Sequence, residues 1–139
     1  MHQAASMRPT RILLVDDDRE TRELLRDYLA DSEYEVQVAA DGNQACLALS
    51  RFAPDLVITD FEMPGMDGLQ LIRWLRTERP SCRILLITGR TDRELQLCRF
   101  GRLAGFECMQ KPIDVDDLGH AVERLTSPGC GGAEQSVSR

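Results

Sequence analysis

In this 139-residue chain, polar residues with chemical capability stand where apolar runs come to an end. Asp16, Asp17 and Asp18 follow the run 12–15, Asp60 follows 56–59, Thr88 and Gly89 close 84–88, and Lys111-Pro112 follows 106–110. If those runs are neighbouring strands, carboxylates, a hydroxyl and an ammonium meet on one edge of a sheet, where open parallel sheets bind ligands. Carboxylates crowded together repel unless a cation or protons relieve them. Mg²⁺ is suited to the task, because it takes oxygen ligands, keeps several waters and commonly adds substrate phosphate to its shell. Lys111 brings a second positive charge. Both would neutralise the equatorial oxygens of a phosphoryl group in transfer, and Asp60 is a candidate nucleophile, since a carboxylate can form an aspartyl phosphate. Singly, each residue has a plainer reading: a strand-end Asp often caps the next helix, as expected of Asp18 ahead of Arg19, and a lone Lys or Thr is solvated or satisfies local backbone. The joint pattern favours the chemistry.

Positioning such residues requires alternating elements, and the chain supplies them. Five short apolar runs, 12–15, 34–40, 56–59, 84–88 and 106–110, read as strands. Between them lie helical periodicities: Leu24, Leu25, Tyr28 and Leu29; Cys46, Leu49 and Phe52; Leu69, Ile72 and Leu75; and finally Leu118, Ala121, Val122 and Leu125. Strands alternating with helices imply right-handed crossovers and a parallel sheet covered on both faces, an α/β doubly wound fold. Asp41-Gly42 opens the second helix, Pro54 closes it, Pro80 closes the third and Pro128-Gly129 the fifth.

Composition narrows the function. A 42% hydrophobic content suffices for one core. The formal net charge of -6 offers no basic stripe for nucleic acid, so direct nucleic-acid contact is not expected. No apolar run approaches the roughly 20 residues of a membrane helix and the start lacks a signal-peptide core, so a cytoplasmic location without membrane contact is expected. Five cysteines, Cys46, Cys82, Cys98, Cys108 and Cys130, form no CxxC pair, and His2 and His120 lie far from any pair of them, which argues against zinc and disulfide frameworks. Cysteines inside apolar segments are expected to act as small hydrophobes.

The segments Ile-Leu-Leu-Val-Asp-Asp-Asp (12–18), Asp-Leu-Val-Ile-Thr-Asp-Phe-Glu-Met-Pro-Gly-Met-Asp-Gly (55–68), Ile-Leu-Leu-Ile-Thr-Gly (84–89) and Lys-Pro (111–112) resemble the receiver domains of response regulators in two-component systems, in particular single-domain, chemotaxis-regulator-like ones. The resemblance runs from about residue 11 to 125. It implies a flavodoxin-like three-layer sandwich with a five-stranded parallel sheet in the order 2-1-3-4-5. It makes Asp60 the phosphoacceptor and Asp16 and Asp17 the Mg²⁺ carboxylates, with Asp60 and the backbone carbonyl of Glu62 completing the metal site. Thr88 would hydrogen-bond the bound phosphoryl group, Lys111 would pair with it, and Lys111-Pro112 would be a cis peptide. A histidine kinase or phosphotransfer protein would donate the phosphoryl group, and output would pass to a downstream protein target. The expected organisation is a flexible N-terminus at 1–10, a receiver domain at 11–126 and a disordered tail at 127–139. The 63–68 loop is expected to shape the start of the third helix, with Asp67 or Gly68 near its cap.

The chain departs from the family in places. Where receivers of this kind usually carry Tyr or Phe, three positions before the strand-five lysine, stands Cys108, too small for an aromatic rotamer switch. Phe106, on the same strand face, is assigned to core packing, with substitution for that ring as the alternative. The 88–111 stretch is longer than expected, which points to a shifted or irregular fourth helix. Glu62 and Arg90 flank the expected phosphoryl path, and an ion pair between them would tune its lifetime. Arg90, Arg93, Arg99 and Arg102 cluster around the fourth helix, either as a solvated face or as a docking surface with strand five and helix five, for a partner or a weak homodimer of an otherwise monomeric chain. Three rival readings stand beside the receiver switch: a receiver fragment of a longer hybrid kinase or regulator; a flavodoxin-like enzyme or Asp-nucleophile phosphatase, whose Asp-x-Asp signature Asp60-Phe61-Glu62 imitates weakly; and a degenerate receiver that binds partners without phosphorylation, against which the intact Asp16, Asp17, Asp60, Thr88 and Lys111 argue. On the receiver reading the chain is a switch rather than an enzyme, with only Mg²⁺-dependent self-phosphorylation and autodephosphorylation of its own.

Overall fold

The computed structural model describes residues 8–89 and 91–127, with the backbone alone at 102 and 103. Strands β1 (Arg11–Val15), β2 (Glu35–Ala39), β3 (Leu56–Asp60), β4 (Arg83–Thr88) and β5 (Glu107–Gln110) alternate with helices α1 (Arg19–Asp31), α2 (Gly42–Leu49), α3 (Gly68–Glu78), α4 (Asp92–Ala104) and α5 (Val115–Thr126). Every pairing is parallel and the order is β2-β1-β3-β4-β5, as expected from the resemblance.

The inner strands are apolar on both faces because both are covered. Leu13, Val15, Val57, Ile84 and Leu86 pack beneath α2, α3 and α4 through Ala45, Leu49, Leu71, Ile72, Leu75 and, from α4, Leu97. Ile12, Leu14, Leu56, Ile58, Leu85 and Ile87 point the other way, onto Leu25 and Leu29 of α1 and Leu118, Ala121, Val122 and Leu125 of α5. The edge strands β2 and β5 carry polar residues such as Glu35, Gln37, Glu107 and Gln110 along their length and are the less buried.

Every helix starts on a side-chain cap: Asp18, Asp41, Asp67, Thr91 and Asp114 each accept from a backbone N–H of the first turn. Asp18 caps α1 as expected, and Asp67 forms a reciprocal capping box with Gln70. The α3 start is pressed against the end of β3. Gly68 N donates to Phe61 O at 2.8 Å, and a Cβ at position 68 would come within 2.5 Å of the Asp60 carbonyl oxygen, so only glycine allows this approach. The expected irregularity of the fourth helix is not found. The helix runs unbroken from Asp92 to Ala104, with acids in its first turn to meet the helix dipole and Gly105 in the left-handed conformation to end it. Pro128 and Gly129, assigned to closing the fifth helix, lie outside the described residues, as does most of the 127–139 segment. Among the described residues no helix is long and apolar enough to cross a membrane.

Candidate functional site

The order of the strands reverses direction between β1 and β3, and ligands of doubly wound sheets sit at such switch points. Asp16, the first residue beyond β1, is buried, and its backbone N–H donates to Ala39 O at 3.1 Å. Its Oδ1 accepts from Asp18 N at 2.8 Å, while Arg22 Nη1 donates to its carbonyl at 2.8 Å, so both the carboxylate and its peptide are held by the start of α1. Asp17 beside it is exposed. Asp60 ends β3 and is 4% exposed. Carboxylate oxygens from Asp16, Asp17 and Asp60 all lie within 4.8 Å of one another. The Lys111 ammonium reaches across from the end of β5 to 3.1 Å from Asp60 Oδ1. Its backbone N–H donates to Thr88 O at 2.8 Å, which fastens the ends of β4 and β5 together, and the Lys111-Pro112 peptide is cis. Thr88 is fully buried at the end of β4. Thus the strand ends bring Asp16, Asp17, Asp60 and Lys111 together, with Thr88 on the adjoining strand end; Glu62 follows, exposed between the buried Phe61 and Met63.

Electrostatics matches this crowding. Burial, then the neighbouring Asp16 and Asp17 charges, push Asp60 up to about 6 against the opposing pull of Lys111. Asp16 is raised chiefly by burial too, moderated by the Asp18 N–H and Lys111. Burial alone would lower the Lys111 ammonium, but its hydrogen bond to Asp60 and the charges of Asp60, Asp16 and Asp17 outweigh it, and the net shift is upward. A carboxylate set this reluctant to ionise together, one member open to solvent, fits a hard divalent cation bound through oxygen.

Three neighbours of the site were not legible in the sequence. Thr88 Oγ1 lies 3.5 Å from Cys98 Sγ on α4. The Arg93 guanidinium stacks over the ring of Phe61, 5.3 Å from its centroid, next to Asp60 in the chain. Glu94 is 3% exposed, and its Oε1 has no hydrogen-bond partner among the described residues. Each depends on the rotational phase of α4 over the sheet, for which the 3.6-residue period offers only a coarse signal. Of the residues singled out near α4, Arg90 and the side chain of Arg102 lie outside what is described, so the expected Glu62–Arg90 pair does too. Phe106 packs in the core, its ring seated against Gly101 so closely that a Cβ there would approach to 2.6 Å. That agrees with the packing role assigned to it.

A sequence model described as the response regulator receiver domain matches residues 12–123. The chain belongs to that family. This receiver is 35% identical over 137 residues to the response regulator MprA of Mycolicibacterium vanbaalenii, covering 93% of this chain and 57% of that one. It is 31% identical to the DNA-binding transcriptional regulator NtrC of Salmonella typhimurium, covering 84% of this chain and 24% of that protein. The chain therefore spans about half, or less, of the length of these curated relatives. Among solved structures, the chemotaxis response regulator CheY4 of Vibrio cholerae superposes with a TM-score of 0.75 at 28% identity, over 85% of this chain and 99% of that one. The receiver is thus a signalling module of two-component systems with the fold of chemotaxis regulators.

Proposed function

We propose that this receiver is a phosphoryl-accepting switch in a two-component phosphorelay, with Asp60 as phosphoacceptor. The observation that carries the reading is the meeting of Asp16, Asp17 and Asp60 oxygens within 4.8 Å, with the Lys111 ammonium 3.1 Å from Asp60. A carboxylate oxygen of Asp60 attacks the phosphorus of a phosphohistidine on a histidine kinase or phosphotransfer protein; the new O–P bond replaces the P–N bond and the imidazole leaves. Asp16, Asp17, Asp60 and the Glu62 carbonyl would hold Mg²⁺, which supplies positive charge that favours ionised carboxylates and offsets charge on the phosphoryl oxygens. Lys111 pairs with a phosphoryl oxygen and the Thr88 hydroxyl donates to another. Water later cleaves the acyl phosphate and regenerates Asp60, at a rate to which Glu62 and Arg90 contribute.

Output passes by protein contact, through a surface around α4, β5 and α5 that recognises a downstream protein or a second copy of the chain as a weak homodimer. On this reading residues 11–126 are the receiver unit, acting in the cytoplasm without touching nucleic acid or membrane itself, alone or as part of a longer regulator or hybrid kinase. Labelling with acetyl phosphate, with and without Mg²⁺, tests it. About one phosphoryl group per chain is expected for wild type and none for Asp60→Asn. Equal labelling of Asp60→Asn, or continuous turnover of a phosphomonoester as by an Asp-nucleophile phosphatase, would overturn it.

A further inference from the structure

Two thiols and a hydroxyl gather beneath α4. The Cys98 sulfur lies 3.5 Å from Thr88 Oγ1, and Cys98 and Cys108 line the same cleft. The strand register brings Cys108 to that side. Leu86 stands opposite Cys108, and Thr88 opposite Gln110. Side chains alternate along a strand, so Cys108 projects to the same face as Leu86 and Thr88, the face that α4 covers. Both cysteines are half-buried and line an open cleft bounded by Pro80, Phe106 and Arg124, so a small solute reaches them from solvent. Cys82 opens onto the same cleft but is buried, with its thiol donating to the Arg83 carbonyl at 3.4 Å, and Cys46 sits on α2.

We propose that Cys98 and Cys108 form a redox-modification site, in which a hydroperoxide joins them as a disulfide between α4 and β5. Burial pushes the Cys108 thiol up and keeps it protonated, so Cys98 reacts first. Its thiolate, the proton lost to water, displaces hydroxide from the peroxide O–O bond and becomes a sulfenic acid. Cys108 sulfur then attacks that sulfur, its own proton leaving with the displaced hydroxide as water. Two thiols and one hydrogen peroxide give one disulfide and two waters; the sulfurs together lose the two electrons that reduce the peroxide. Thiols that line one cleft reach the S–S distance of about 2.05 Å by side-chain rotation and an approach of α4.

The coupling to signalling rests on the phosphoacceptor reading. The cross-link forms from the arrangement that the unphosphorylated chain already adopts, and so favours it over any in which Thr88 leaves Cys98 to meet a phosphoryl group. Phosphorylation of the oxidised chain is then slower, and a dithiol reductant restores it.

The test treats the full chain with hydrogen peroxide, blocks remaining thiols, and maps cross-linked peptides by mass spectrometry. A dithiothreitol-reversible Cys98–Cys108 pair is expected, absent from Cys98→Ser and Cys108→Ser. Five thiols left free, or disulfides through Cys46, Cys82 or Cys130 instead, would overturn the site. This measurement needs neither Mg²⁺ nor phosphodonor, so it stands or falls apart from the phosphoacceptor reading. In a chain shown to label on Asp60, oxidation is expected to slow acetyl phosphate labelling at least threefold in wild type and not in Cys108→Ser. Equal rates before and after oxidation of wild type would remove the coupling.

Discussion

Asp60 is held in a condition that costs the folded chain. Without a divalent ion its carboxyl titrates near 6 rather than at the ordinary 3.8, chiefly because it is buried. A group whose folded value is raised binds its proton more readily in the native state, so the penalty is present above about pH 6 and fades as pH falls toward 3.8. At 1.36 kcal/mol per unit this amounts to about 3 kcal/mol at neutral pH. Asp60→Asn is therefore expected to be the more stable form by about 2–3 kcal/mol in urea denaturation at pH 7.5 with chelator. The gap should shrink by more than half at pH 4.5 and also on adding Mg²⁺ to both; a gap indifferent to pH contradicts the account. At this scale Asp16, Asp17, Asp60, Thr88 and Lys111 were readable in the sequence, because each immediately follows or closes an apolar run and its position is fixed by the strand itself. Cys98, Arg93 and Glu94 were not, since a helix residue reaches the site only through tertiary packing.

At the scale of elements, the two faces of the sheet have different work. The α3 start presses against the backbone of Asp60 through Gly68, whereas α5 covers the opposite layer through Leu118, which is completely buried. Gly68→Ala should push on the Asp60 carbonyl and slow acetyl phosphate labelling severalfold. Leu118→Ala should cost about 2–5 kcal/mol of stability by leaving a cavity, yet label at the wild-type rate at temperatures where it stays folded. The reverse pairing of effects would show that the faces are not separable in this way. Strand boundaries and helix starts were legible to within a residue or so, because apolar runs and caps such as Asp41-Gly42 mark them locally. The second helix, however, ends at Leu49, well before the Pro54 expected to close it, because a proline bars a helix without saying how far ahead of it the helix stops. The regularity of α4 was not, because the length of a connecting stretch says little about whether its helix breaks. Strand order came from the family resemblance rather than from periodicity, which is blind to which strands are neighbours.

For the molecule as a whole, the two core layers close within the described residues: α5 delivers its last core side chain at Leu125, and Arg8 adds only an exposed ion pair to Asp55 at 2.9 Å. Exposed pairs contribute about 0–1 kcal/mol. A chain trimmed to residues 9–127 is accordingly expected to unfold within about 1 kcal/mol of the full one and to label with the same stoichiometry. A collapse in either measurement would mean that the trimmed residues belong to the receiver unit.

The Arg8–Asp55 pair sits where β3 is about to begin, and the other end of the described chain comes back to the same level, with Thr126 beside Tyr34 just ahead of β2. Entry and exit thus share one pole, a strand's length of roughly 17 Å from the carboxylates. Cargo can be spliced on at either side, as tag, fluorophore or neighbouring module, without shadowing the opening above the three carboxylates.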